Sequence, residues 1–239
     1  MSVILEANIW DQKIEVEIFH DGTMGFPGYD IQHDFAAHEF GYPETNAMKI
    51  YTRWQKMPIH VLVKNLIKRD DWKTMALLLI DWAEHVLPIF ERSLDELLKK
   101  TNHSKYTTPK QPFGPRLTIE LARDFLINAR PEDPEFLNKR TALQHAEFEA
   151  EYWDTVARQN GFDAAAEAAA ASKHAALTAS RRQMFVTMMS ETVAQYAIEA
   201  AEHDSGHGAK EQAWQIRRFV DVMEAVGQDR PWPPMGATP

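Results

Sequence analysis

The sequence predicts a mainly α fold, a helical bundle-like domain preceded by a short N-terminal β-hairpin. Apolar and polar residues alternate over the first 20 residues, whereas from residue 44 onward the apolar residues recur at helical spacing. Prolines and glycines fall between these periodic segments, where they end helices. We therefore expect a hairpin and loop over 1–43, a helical domain over 44–226 with a candidate sub-boundary at 101–114, and a flexible tail over 227–239.

The hairpin is predicted by two alternating segments joined at Asp11 and Gln12. The second segment has apolar residues on one face and charged residues on the other: Ile14, Val16 and Ile18 against Lys13, Glu15 and Glu17. The stretch HDGTMGFPGYD that follows is rich in glycine, which predicts a loop.

Three helices are predicted before residue 101. The first opens after Pro43 and closes at Pro58, and the second covers 59–68. The third follows a cap at Asp70 and Asp71 and carries a wide apolar stripe as far as Leu98. Pro88 interrupts that stripe, and a proline inside a helix removes a hydrogen bond and clashes with the preceding turn. We expect a kink, or two helices that meet near residue 88.

The second half of the chain predicts four more helices. One begins at Pro115, a favoured first helical residue, and one runs from Leu137 to Arg158 before Gly161. Asp163 caps the alanine-dense stretch AAAEAAAASKHAALTAS, whose small side chains allow a neighbouring helix to pack at short distance. The helical pattern continues from there through 184–201 and pauses near Asp204, and the last predicted helix contains Trp214 to Met223.

Four helical segments stand out together: DWAEHVLPIFE (81–91), RLTIELARDFL (116–126) and the paired alanine-rich helices around TALQHAEFEAEYWDTVA and AAEAAAASKHAALTAS. In this combination they resemble the Imm5-like family of immunity proteins. The resemblance covers roughly residues 72–200. It implies a helical domain with a binding or toxin-neutralising role, and it implies no catalytic residues.

Charge and composition narrow the classes of function. The net charge is −9 and basic residues cluster only in pairs, so nucleic-acid binding, which depends on phosphate neutralisation, is not expected. An acidic surface suits a basic protein partner, although the charge also simply favours solubility. The longest apolar run, Met75 to Ile80, is far too short for a membrane helix, and the first residues lack a basic leader. The absence of cysteine fits the cytoplasm.

The sharpest candidate for enzymatic chemistry is the set His174, His203, Asp204 and Asp221. HD-type phosphohydrolases use a histidine, an adjacent His-Asp pair and a later aspartate, because imidazole and carboxylate together hold divalent metals that activate water. The alternative for His203 and Asp204, which we favour, is a pair of exposed polar residues at a helix end.

A second candidate metal site is the segment DIQHDFAAHEF, which contains His33, Asp34 and His38. If the segment is helical, Asp34 and His38 lie one turn apart and can share a metal. A solvated helix is the simpler interpretation. Two ordinary histidine contacts are also expected, His145 beside Glu149 and His85 near Glu84.

We therefore predict a non-enzymatic helical binding protein without a cofactor, of the immunity or anti-toxin type, that sequesters a protein partner. The alternative is an HD-like metal-dependent phosphohydrolase. Aromatic and methionine side chains are enriched at protein interfaces. Trp10, Trp232 and the stretch 184–189 are therefore candidates for the binding surface, and the oligomeric state is left open.

Overall fold

A computed structural model describes residues 2–9, 12–19, 24–25, 72–101, 114–181, 183–227, 231–233 and 235. The helices predicted over 44–57 and 59–68, the caps at Asp70 and Asp71, and most of the 101–114 linker lie outside the described residues.

Three strands form one antiparallel sheet in the order β1-β2-β3: β1 (Ser2–Ile9), β2 (Gln12–Phe19) and β3 (Met24–Gly25). The register pairs Val3 with Ile18 and Leu5 with Val16. Because residues two apart share a face of a strand, the apolar positions of both strands fall in the same rows of the sheet.

Six helices follow: α1 (Trp72–Lys100), α2 (Pro115–Asn128), α3 (Phe136–Gln159), α4 (Asp163–Arg181), α5 (Gln183–Ser205) and α6 (Gly208–Gly227). The described residues from 72 onward are 87% helical and include no strand, which confirms the mainly α prediction. Pro115 stands in the first turn of α2, as expected. Gly161 and Gly206 follow α3 and α5 with φ of 78° and 68°, the left-handed conformation that glycine adopts readily at helix ends.

The chain divides into two compact units. One comprises Met1–Ile67 and Ala213–Met235, and the other comprises Lys68–Gln212 and Gly236–Pro239. Within the first unit, the buried Arg218 of α6 donates a hydrogen bond from Nη2 to the carbonyl oxygen of Pro233 at 2.7 Å. Its guanidinium also lies 5.9 Å from the ring centre of Trp232. Part of the segment predicted as a flexible tail is therefore tied to α6.

The alanine-rich helix α4 lies at the centre of the second unit. It packs against four other helices, α1, α2, α3 and α5. Thirteen of its residues are buried, which makes it buried nearly all round. Alanine permits this, because a side chain of one carbon lets helix axes approach closely on every side. The prediction that another helix packs against this segment is confirmed.

Helix α1 is one continuous helix through Pro88, so the alternative of two helices meeting there is wrong. A proline in a helix interior costs about 3 kcal/mol. Leu87, Ile89 and Phe90 beside it are buried, and each buried side chain of this size contributes about 1.5–3 kcal/mol. Burial of the neighbouring residues therefore outweighs the cost of the proline.

Candidate functional site

The candidate site is the outward face of α3. The inward face of this helix is buried: Leu143, Ala146, Ala150, Trp153 and Ala157. Among the described residues, five large hydrophobic side chains are exposed, and three of them lie on α3. They are Leu137 at 70%, Phe148 at 69% and Tyr152 at 42% exposure.

These three side chains follow one line along the helix. With Thr141 between them, they are spaced four, seven and four residues apart, which keeps all four on one face: Leu137, Thr141, Phe148 and Tyr152. We call these four residues the outer stripe. Its ends lie 15 residues apart, or about 22 Å along the helix axis. The outer stripe is thus an uncharged surface long enough to contact several turns of a partner.

Two carboxylates lie beside the outer stripe near its C-terminal end. Glu149 and Glu151 follow Phe148 in sequence and both are exposed. Glu151 accepts a hydrogen bond from Nζ of Lys173 at 2.9 Å, which links this edge of α3 to α4. Glu149 stays on the solvated side. Glu149 therefore places a negative charge near Phe148, whereas the charge of Glu151 is compensated by Lys173.

The outer stripe is supported from behind by Trp153, which is buried. The Trp153 ring meets the ring of Phe90 edge-on at 6.1 Å and that of Tyr152 at 5.4 Å. Gly114, with φ of 50°, approaches so closely that a Cβ there would lie 2.8 Å from Cδ1 of Trp153. Only glycine fits at this position. The face that carries Tyr152 is accordingly held on a rigid element.

A buried hydroxyl joins α3 to α2. Oγ1 of Thr118 lies 2.7 Å from the carbonyl oxygen of Ala146 and 3.0 Å from that of Gly114. Thr118 is fully buried, so this polar contact is shielded from water and fixes the position of α2 along α3.

Charged side chains of the segments 81–91 and 116–126 form a ladder of ion pairs between α1 and α2. Arg123 pairs with Asp81 through Nη1 at 2.9 Å and also with Glu84. Arg116 pairs with Glu84 at 3.2 Å and with Glu91 at 2.8 Å. Asp81 is completely buried, and the hydrogen bond to Glu91 raises the pKa of the Arg116 guanidinium. These residues hold two helices together, so the ladder has a structural role.

His85 makes a contact that the sequence did not indicate. Its Nδ1 lies 2.6 Å from Oε2 of Glu211, and both side chains are largely buried. The predicted neighbour Glu84 instead pairs with arginines of α2. The partner of His85 lies 126 residues away in the chain, and no local pattern identifies it.

His174 lies on α4, where its ring stacks on that of Tyr196 with centres 5.4 Å apart. Burial, and then the positive charge of Lys173, lowers its pKa to about 4. Its Nδ1 is buried without a hydrogen-bond partner among the described residues. His174 is thus a neutral imidazole packed against an aromatic ring.

The other predicted metal ligands are separately placed. His203 and Asp204 are exposed in the last turn of α5, and Oδ1 of Asp204 accepts a hydrogen bond from Nη2 of Arg92 at 2.8 Å. Asp221 lies half-buried on α6 in the other unit. In the described part of the chain, no three His, Asp or Glu side chains come together as a metal-binding group. The remaining candidates lie outside the described residues: His33, Asp34, His38, Trp10 and most side chains of 184–189.

Sequence reasoning missed the outer stripe. The sequence predicted a helix over 137–158 without assigning its faces, whereas the structure exposes Tyr152 and buries Ala146, Trp153 and Val156. Phe148 was given no role. The available signal was its position, since Phe148 falls on the side of the helix opposite the buried residues, where a large aromatic side chain is unusual.

No known protein family, curated protein or solved structure matches this chain. Of the helices in the described residues, none combines the length and the apolar character that crossing a membrane requires.

Proposed function

We propose that this protein is a non-enzymatic helical binding protein of the immunity type, which sequesters a protein partner through the outer stripe of α3. The observation that carries the proposal is the line of exposed apolar side chains at Leu137, Phe148 and Tyr152. Exposed apolar side chains are common singly, but Phe148 and Tyr152 lie one helical turn apart on one face, and neighbouring apolar side chains of this kind are typical of an interaction site. Phenylalanine and tyrosine are enriched in the centres of protein interfaces.

The charge of the chain supports a basic partner. The exposed Glu149 follows Phe148 directly, and the chain as a whole carries −9. An acidic rim around an apolar centre steers a positively charged partner to the site and raises the association rate. The buried aromatic contacts then determine how slowly the complex dissociates.

The immunity role rests on the resemblance across residues 72–200, which includes the whole outer stripe. We propose that the partner is a protein toxin, that binding masks its active surface, and that this occurs in the cytoplasm without a cofactor. The cysteine-free composition supports the location, and the acidic charge argues against nucleic acid as the target.

The proposal is tested by finding the partner and then separating binding from folding. Proteins captured by the purified chain from its own cells are expressed individually and tested for growth arrest that the chain relieves. We expect the double variant F148A/Y152A to weaken the affinity at least about 30-fold, because truncating two central aromatic anchors removes about 2 kcal/mol or more. The same variant should no longer relieve growth arrest.

The matched control is Ile127→Ala, which truncates an exposed apolar side chain on α2 outside the outer stripe. It should bind and protect as the wild type does. The variants His203→Ala and Asp204→Ala should also protect, since sequestration does not depend on single titratable groups. Protection that survives F148A/Y152A but is lost in a normally folded Asp204→Ala variant would contradict the proposal and favour a catalytic role.

A further inference from the structure

A cleft of about 390 Å³ opens at one end of the second unit. It lies where the start of α1, the turn between α2 and α3, and the last turn of α4 come together. Its lining includes Trp72, Lys73, Phe125, Phe136, Arg140 and Ser180. A volume of this size accommodates a small organic molecule.

The walls of the cleft are largely aromatic and aliphatic. The rings of Phe125 and Phe136 lie 5.4 Å apart at 41°, and Trp72 and Leu126 complete the apolar surface. Phe136 and Trp72 remain partly accessible to solvent. An apolar body that enters the cleft gains by covering this surface, at about 25 cal/mol per Å² removed from water.

Two positively charged side chains line the cleft. Lys73 and Arg140 are exposed, and neither forms an ion pair with another described residue. Lys73 extends beside the cleft wall, with its ammonium 6.0 Å from the centre of the Trp72 ring. Arginines elsewhere in this unit, such as Arg116 and Arg123, are engaged by carboxylates. Lys73 and Arg140 are the two cations of the cleft lining, while the adjoining turn carries the exposed Glu132, Asp133 and Glu135.

Glu147 on α3 interacts electrostatically with Arg140. Glu147 is buried and hydrogen-bonded to Ser180, and burial raises its pKa. Arg140 lowers that pKa electrostatically, but no ion pair joins the two groups. The guanidinium of Arg140 is thus available to an anion from solvent.

We infer that this cleft binds a small amphipathic anion, with an apolar body between Trp72, Phe125 and Phe136 and a carboxylate, sulfonate or phosphate head on Lys73 and Arg140. A guanidinium matches the planar geometry of a carboxylate or phosphate, and an ammonium adds a second point of positive charge. The outer stripe shares no residue with the cleft. The inference therefore stands or fails independently of the proposed protein partner.

The test uses a pair of probes that differ in charge. The full chain is titrated at pH 7 and low salt with 8-anilinonaphthalene-1-sulfonate, and separately with the uncharged N-phenyl-1-naphthylamine. We expect saturable one-to-one binding of the sulfonate, weakened at least about tenfold in K73M/R140M, because both charged contacts are lost. Binding of the uncharged probe should be unchanged in that variant.

The control variant K99M/K210M removes the same charge from exposed positions outside the cleft lining and should bind both probes as the wild type does. Ala129→Phe fills the cleft from its wall and should abolish binding of both probes while the thermal melt remains cooperative. Equal affinity of K73M/R140M and K99M/K210M for the sulfonate overturns the inference. Non-saturable binding to the folded wild type overturns it as well.

Discussion

Glu147 on α3 is an ionisable residue that is almost completely buried, with only 6% of its surface exposed. One carboxylate oxygen, Oε1, has no hydrogen-bond partner among the described residues. Desolvation of the charged form raises its pKa above the ordinary value of 4.5. The folded state therefore favours the neutral acid, and the charge opposes folding once the pH exceeds that of an ordinary glutamate.

We expect Glu147→Gln to stabilise the protein at pH 7 by about 1 kcal/mol, or roughly 2–4 °C in Tm, because the amide carries no charge to bury. Below pH 4.5 the wild-type side chain is protonated in both states, so the gain should disappear. Thermal melts between pH 4 and 8 measure this difference. Glu149→Gln, on the exposed side of the same helix, is the matched control and should leave Tm unchanged.

His174 has the opposite pH dependence. Its folded pKa of about 4 lies below the ordinary 6.5, so the unfolded chain takes up a proton first as the pH falls. We expect the wild type to lose stability between pH 6.5 and 4, by at most about 3 kcal/mol in view of its partial exposure. His174→Gln should flatten this slope, whatever its effect on absolute stability.

Urea unfolding at several pH values measures that slope, with His145→Gln on the exposed face of α3 as control. An unchanged slope in His174→Gln would show that the imidazole titrates normally in the folded protein.

The residues of the candidate site were only partly accessible to sequence reasoning. The motifs with Asp81, Glu84, Arg116 and Arg123 were evident, but their pairing depends on how α1 meets α2. No local spacing encodes that arrangement. The exposure of Phe148 likewise depends on which side of α3 the neighbouring helices cover.

At the scale of elements, sequence patterns were most informative where local and tertiary preferences agree. Alanine favours a helix on its own, and its small side chain also suits a central position, so α4 was predictable in both respects. Pro88 is the contrasting case, because local preference opposes the helix while the burial of its neighbours supports it. The local rule predicted a kink or two separate helices at Pro88, and the packing of its neighbours keeps α1 as one continuous helix.

The central position of α4 predicts a strong dependence on side-chain size. Ala169→Leu should destabilise the protein by about 1–3 kcal/mol or more, because a close-packed position has no room for a larger branched side chain. The same change at the exposed Ala142 of α3 should have little effect. Chemical denaturation of both variants provides the comparison. Equal stability of the two would argue that α4 is not tightly enclosed.

At the scale of the whole molecule, the helices of 68–212 pack against one another. Their largest buried side chains include Trp82, Phe90 and Leu78, which all belong to this unit. We expect a chain restricted to residues 68–212 to keep its helices and to melt cooperatively, since it retains its own apolar core. Far-UV circular dichroism and calorimetry of this fragment measure both properties. A fragment that is unfolded or melts without a transition would show that its core is incomplete.

The mainly α class could be predicted at this scale because the change of hydrophobic period is a property of whole segments. The division of the chain near residues 67 and 212 could not. It depends on contacts between segments far apart in sequence, and residues 213–227 continue the helical pattern without interruption.

The enclosure of α4 by four helices also determines how its backbone exchanges hydrogen with the solvent. Water and hydroxide reach the buried amide groups in the middle of α4 when the surrounding helices separate, and those helices make up most of the unit. Local fraying, which exposes amides at the ends of outer helices, therefore contributes little to exchange in the middle of α4. Deuterium uptake at these amides should consequently track the global opening of the unit. The slowest-exchanging peptide of the protein would then report its free energy of unfolding under native conditions.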